Sequence, residues 1–185
     1  MEPVLYTKYK KEVAPALKEE LGIANIMDVP AVEKVTLNVG FGRHSKDKSF
    51  IENVENTLRQ ITGQKPVRTK ARLSISNFKL REGMEIGACV TLRGATMYEF
   101  LNRLVNLTLP RVRDFRGISA KSFDRKGNYS LGIKENISFP EISADSADKI
   151  HSLQVIVTTS AEDQKGGALL LKKLGFPFKD MDKIK

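Results

Sequence analysis

The chain has 185 residues, 41% of them hydrophobic, enough for a core and too much for a disordered tail. No run approaches the roughly 18 apolar residues that span a bilayer, and the opening MEPVLYTKYKKEVAP lacks the apolar stretch of a secretory signal. The single Cys89 excludes an intramolecular disulfide and a thiolate-rich zinc site, and reads as a small thiol in a reducing compartment, while a net charge of +9 favours a polyanionic partner.

In chain order, Tyr6, Tyr9, Val13, Leu17 and Leu21 recur near helical spacing and predict a first helix over Val4–Leu21. Pro15 should kink it or start its second half, and Gly22 should stop it. Val35, Leu37 and Val39 then alternate with Thr36 and Asn38, the pattern of a half-buried strand, which Gly40-Phe41-Gly42 ends. Phe50, Val54, Leu58 and Ile61 form one stripe on a helix over Asp47–Ile61, closed by Gly63. Pro66–Thr69 and Leu73–Leu80 read as short extended pieces flanking a basic loop, and Gly83 turns the chain. Ile86, Ala88, Val90 and Leu92 alternate with Gly87, Cys89, Thr91 and Arg93, a second half-buried strand. A helix over about Thr96–Leu107 follows, and Pro110 is expected to forbid its continuation.

Residues 110–150 are rich in Gly, Asn, Ser and Pro and read as an insertion of loops and a hairpin, with strand-like pieces such as Tyr129, Leu131 and Ile133. Regular structure returns as a strand over Leu153–Thr159. Ser160–Asp163 resembles a capping box that opens a last helix bearing Leu170, Leu171 and Leu174, with Gly175 at its end. The tail from Lys179 is polar and expected to fray. The pattern predicts an α+β fold in one domain. It is a ferredoxin-like split β-α-β sandwich over 32–107 and 153–175, with an N-terminal helix and the 110–150 insertion. Helices should cover one sheet face. The other, carrying Thr36, Asn38, Cys89, Thr91 and Arg93, offers hydrogen-bonding groups and no stacking platform. Such a face suits a folded RNA read through sugars, phosphates and shape, and equally an ordinary solvated sheet.

The charge is unevenly spread. Residues 60–126 hold 14 basic and 5 acidic side chains, and the remainder holds 17 of each. Lys65, Arg68, Lys70, Arg72, Lys79 and Arg81 occur with no acid between them, and Arg103, Arg111, Arg113, Arg116, Lys121, Arg125 and Lys126 form a second cluster. Clusters of this kind neutralise phosphates, although a solvated basic face or an acidic protein partner fits the same pattern. Ser74, Ser76 and Asn77 add groups that bond phosphate or sugar, and Phe78 can brace the loop.

Catalytic signatures are missing. His44 and His151 are not in HExxH spacing and read as surface residues, Gly63-Gln64-Lys65 is no P-loop, Gly40-Phe41-Gly42 is no dinucleotide fingerprint, and no GxSxG elbow occurs. No catalytic residue, cofactor, metal or small-molecule substrate is expected. An RNA-modifying enzyme would need a nucleophile or cofactor site that the chain does not offer, whereas a regulatory RNA-binding module stays open on the residues alone.

Several ordered blocks resemble one family. They are Leu109-Pro-Arg-Val-Arg-Asp-Phe-Arg-Gly117, Ala120-Lys-Ser-Phe-Asp124, Gly127-Asn-Tyr-Ser130 and Phe139-Pro-Glu-Ile142. With them stand Gly63-Gln-Lys-Pro66, Thr69-Lys-Ala-Arg72, Phe78-Lys-Leu-Arg81, Val90-Thr-Leu-Arg-Gly94 and Gly175-Phe-Pro-Phe178. Together they resemble the bacterial form of large-subunit ribosomal protein L-five, over about Tyr6 to Lys179. The resemblance implies a cytoplasmic protein of the large ribosomal subunit that binds 5S rRNA in the central protuberance and touches 23S rRNA. It implies contact with the P-site tRNA and with small-subunit head protein S-thirteen in an inter-subunit bridge. The matching 5S rRNA positions are Asn38, Gln64, Thr69, Thr91 and Arg93. The tRNA-approaching loop matches Lys70 to Gly83 and contains Lys70, Arg72, Ser74, Ser76, Asn77, Phe78, Lys79 and Arg81. The bridge region matches part of Pro110–Pro140, including Arg111, Arg113 and Arg116. The chain departs from the family at Gly42-Arg43-His44, often acidic in relatives, at Ser143-Ala144-Asp145, which lacks an aromatic, and in the added tail Met181–Lys185.

Overall fold

A computed structural model describes residues 2–45, 47–142 and 150–179. The departures at 143–145 and 181–185, and the end of the tail, lie outside them. Five strands are present: β1 (Val32–Gly40), β2 (Val67–Lys70), β3 (Glu85–Leu92), β4 (Tyr129–Ile133) and β5 (Leu153–Thr159). Their order in the sheet is β2-β3-β1-β5-β4. The helices are α1 (Val4–Lys8), α2 (Ala14–Leu21), α3 (Lys48–Thr62), α4 (Gly94–Arg103), α5 (Leu109–Arg111) and α6 (Gln164–Lys173). The passage β1-α3-β2 spans the intervening β3, and the passage from β3 through α4 to β5 spans β1, so both are split as the α+β pattern predicts.

Contacts divide the chain into two compact units. The first is Met1–Val35, Leu92–Leu131 and Ile156–Lys185, and the second is Thr36–Thr91 and Gly132–Val155. The expected insertion is therefore shared, its first part in one unit and its last part in the other.

In the first unit α1 packs on α4, and α2 on α6. Leu5, Val13, Leu17, Phe100, Leu101 and Leu171 are buried, the apolar faces that the helical spacing requires. Both prolines expected to interrupt helices are accommodated in the same way. A π-helical segment, Tyr9–Val13, precedes Pro15, and another, Leu104–Thr108, precedes Pro110. A proline ring collides with the carbonyl four residues back and offers it no N–H. The wider π turn moves that carbonyl, of Lys11 or Asn106, out of the way. Pro110 thus does not forbid continuation. The helical path runs on to Arg111, and Val112 turns extended at ψ 130°.

The predicted capping box at Ser160 is also replaced. Asp163 is the N-cap of α6, its Oδ1 accepting from the Gly166 N–H at 2.8 Å. Ser160 Oγ instead accepts from the Ala31 N–H at 3.0 Å. The start of α6 lies against the turn before β4. A Cβ at Gly167 would stand 2.2 Å from the Gly127 carbonyl oxygen, so only glycine fits there.

In the second unit Val35's successors Leu37 and Val39 on β1, and Ala88 and Val90 on β3, are all at most 4% exposed. Val54, Leu58 and Ile61 of α3 are buried with them. Asp47 caps α3 through its Oδ1 and the Phe50 N–H at 3.1 Å, and Gly63 ends it at φ +70°. Strand β2 pairs antiparallel with β3, Val67 opposite Cys89 and Thr69 opposite Gly87. The stretch 73–80 is not an extended piece. Ile75 and Leu80 exchange two backbone hydrogen bonds, of 3.0 and 3.1 Å, around a 3-10 turn over Ser76–Phe78.

Candidate nucleic-acid interface

Side chains alternate across a strand, so burial of Leu37, Val39, Ala88 and Val90 turns Asn38, Cys89 and Thr91 to the opposite face. Asn38 and Cys89 are half-buried and Thr91 is exposed. Thr69 joins this face from β2, opposite Gly87. A Cβ on Gly87 would lie 2.8 Å from Thr69 Oγ1 and 3.0 Å from the Val39 carbonyl oxygen. The missing side chain lets the Thr69 hydroxyl lie across its neighbour strand, where a bulkier residue would displace it.

Asn38 Nδ2 donates to Gln154 Oε1 over a long 3.5 Å. Gln154 was not singled out from sequence, although the alternation of Leu153 and Val155 in β5 carries the signal. Gln64 is exposed in the link between α3 and β2, where its N–H donates to Thr62 Oγ1 at 3.2 Å. Arg93, exposed at the N-cap of α4, accepts the Thr96 hydroxyl at its carbonyl at 2.9 Å. Four of the five positions expected for 5S rRNA thus lie in the second unit, and Arg93 follows Thr91 by two residues in the chain.

The basic stretch is less uniform than its sequence. Arg68 is turned to α3 and is ion-paired with Glu55, and at 2.8 Å with Glu85. Glu55 and Glu85 hold the Arg68 guanidinium charged, and the Arg68 hydrogen bond holds the Glu55 carboxyl below the usual carboxylate range. Arg68 is therefore engaged within the fold, a correction to its place in the phosphate-binding cluster. Lys65, Lys70, Arg72, Lys79 and Arg81 have no ion pair among the described residues and are exposed. Ser74, Ser76 and Asn77 are exposed on the same hairpin, and Phe78 is 78% exposed at its tip. The hairpin base is closed by the Ala71 N–H on the Met84 carbonyl at 2.8 Å, and Glu82 donates its N–H to Ser74 Oγ at 2.9 Å.

In the first unit Arg111, the last residue of α5, and Arg113 and Arg116 beyond it are exposed. Arg125 and Lys126 project from a turn organised by Asp124, whose Oδ1 accepts the Lys126 and Asn128 N–H groups at 2.9 and 2.8 Å. The expectation that both histidines are surface residues fails for His151. It is 7% exposed, with Nδ1 3.4 Å from Asn136 Nδ2. His44 is exposed. Among the described residues no three His, Cys, Asp or Glu side chains are grouped to hold a metal, and no helix is long and apolar enough to cross a membrane.

Two family models match the chain. Residues 25–81 match "Ribosomal protein L5", and residues 85–178 match "ribosomal L5P family C-terminus". The chain is 55% identical over 175 residues to large ribosomal subunit protein uL5 of Halothermothrix orenii, covering 95% of this chain and 98% of that protein. It is 56% identical over 171 residues to uL5 of Francisella tularensis subsp. novicida, covering 92% and 96%.

Proposed function

Because the chain belongs to the ribosomal protein L5 family, a non-enzymatic constituent of the large ribosomal subunit, we propose that it binds 5S rRNA and attaches it to that subunit in the central protuberance. Asn38, Gln64, Thr69, Thr91 and Arg93 make the 5S rRNA contact, and 23S rRNA is a further partner. The 70–83 hairpin approaches the P-site tRNA through Lys70, Arg72, Lys79 and Arg81. The region of Arg111, Arg113 and Arg116 meets small-subunit head protein S-thirteen.

The observation that carries this reading is the polar face of β2, β3 and β1. Its hydroxyl and amide groups are held at fixed spacing by the strands and flanked by cations that have no ion pair among the described residues. Cations supply affinity for any polyanion, whereas placed hydroxyls and amides select a shape. The test is the RNA recovered with tagged protein from a lysate at moderate salt. The expected RNA is 5S rRNA. Recovery of tRNA alone, or of no RNA, contradicts the proposal.

A further inference from the structure

At the end of β1 the second unit holds a cleft of about 680 Å³, and none of Asn38, Gln64, Thr69, Thr91 and Arg93 lines it. Its floor includes Phe41, 1% exposed, and Ile86, whose carbonyl accepts the Phe41 N–H at 2.8 Å. His44, His151, Phe78 and Arg43 also line it, and none of the lining residues among those described is acidic. The walls are braced. The His44 N–H donates to the Phe41 carbonyl at 2.8 Å, closing the turn Gly42–His44. The Phe50 ring, outside the cleft, lies 4.6 Å from that of His44 and 6.1 Å from that of His151, centroid to centroid. Phe78, by contrast, is open to water at the hairpin tip, an apolar ring whose burial awaits a partner.

Flat rings over an apolar floor match the π-face of a base, and a cation with no ion pair among the described residues matches a phosphate. An apolar protein side chain would use the floor but leave the Arg43 charge unused. We propose that this cleft receives one unpaired RNA nucleotide, its base stacked against Phe78 and His44 and its phosphate met by Arg43. The inference rests on the RNA-binding reading above and adds a stacking site outside the sheet face, one wall of which is Phe78 of the hairpin.

The test follows the ring resonances of His44 and His151 in the labelled full-length chain during titration with single-stranded tetraadenylate. The same tetramer without bases is the control. Saturable shifts with the first and not the second are expected. Phe78→Ala should weaken binding about tenfold, in the range of one lost base stack, and Phe78→Tyr should restore it. Equal shifts with the base-free tetramer, no saturable shift, or an unchanged affinity in Phe78→Ala overturn the proposal.

Chemical probing of base edges in ribosomes carrying Phe78→Ala then identifies the source. A base newly reactive in 23S rRNA or tRNA is the occupant, and no change in either overturns the proposal for the assembled particle. Thr91→Ala, on the sheet face, should leave the histidine titration unchanged while lowering 5S rRNA affinity. Unchanged 5S rRNA affinity in Thr91→Ala would sink the sheet-face reading with the cleft intact. Silent histidines beside a normal Thr91→Ala loss would sink the cleft alone.

Discussion

Thr91 and Val90 are neighbours in the chain and opposites in environment, one exposed and the other 4% exposed. Thr91→Ala should change stability by no more than about 0.5 kcal/mol and weaken 5S rRNA binding by about 1 kcal/mol through the lost hydroxyl. Val90→Ala should cost about 1–3 kcal/mol of stability from the vacated volume, with little change in intrinsic RNA affinity. Urea unfolding and RNA titration on both variants check this, and exchanged effects would mean an inverted face. A second residue-scale outcome concerns alkaline pH. Burial pushes the phenols of Tyr98 and Tyr129 up to about 12, with Tyr9 and Tyr6 adding to the effect on Tyr98. An unfolded tyrosine ionises near pH 10. Between about pH 10 and 12 the unfolded chain therefore loses protons that the native state keeps. Stability due to these groups is full below about pH 10 and falls as pH rises through about 12. The urea midpoint should drop across that window, less so in Tyr98→Phe. Tyrosinate absorbance that is complete soon after pH 10 in the folded protein would contradict it.

At the scale of elements, the 71–84 hairpin is closed at its base by its own backbone and can be exchanged without touching the paired part of β2. Replacing Arg72–Glu82 by a short Gly-Ser linker should leave 5S rRNA binding nearly intact, and ribosomes carrying it should hold P-site tRNA less well. Loss of 5S rRNA binding in a protein shown folded by circular dichroism would mean that the hairpin serves the other RNA. The strands were legible because period-two alternation is a direct image of burial. Val35, Leu37 and Val39 are all at most 1% exposed. Helix α3 was legible from its stripe and its Asp47 and Gly63 ends. Features set by partners distant in the chain were not. Asp163 displaces Ser160 as the cap because Ser160 is taken up by Ala31, far away in sequence. Arg68 looks like a free cation until α3 and β3 bring Glu55 and Glu85 to it. The π segments before Pro15 and Pro110 leave no composition signal, since they answer a local clash and not a hydrophobic period. Asn38, Thr91 and the outward register of the face were readable from alternation, whereas the cleft at His44 and His151 needed the fold to bring it together.

For the whole molecule, the net charge of +9 resides in residues 60–126, and the rest of the chain is balanced. With Arg68 engaged by two carboxylates, the proposed RNA contact relies on the remaining cations and on the polar face they border. Cations that neutralise phosphates release condensed counterions, and that release makes binding depend on salt. The most direct measurement is the affinity of the intact protein for 5S rRNA by filter binding over a range of monovalent salt. With about six phosphates engaged, log K should fall against log[salt] with a slope of roughly −4 to −5. A flat profile would contradict the claim that this chain holds its RNA through the charge gathered in its middle third.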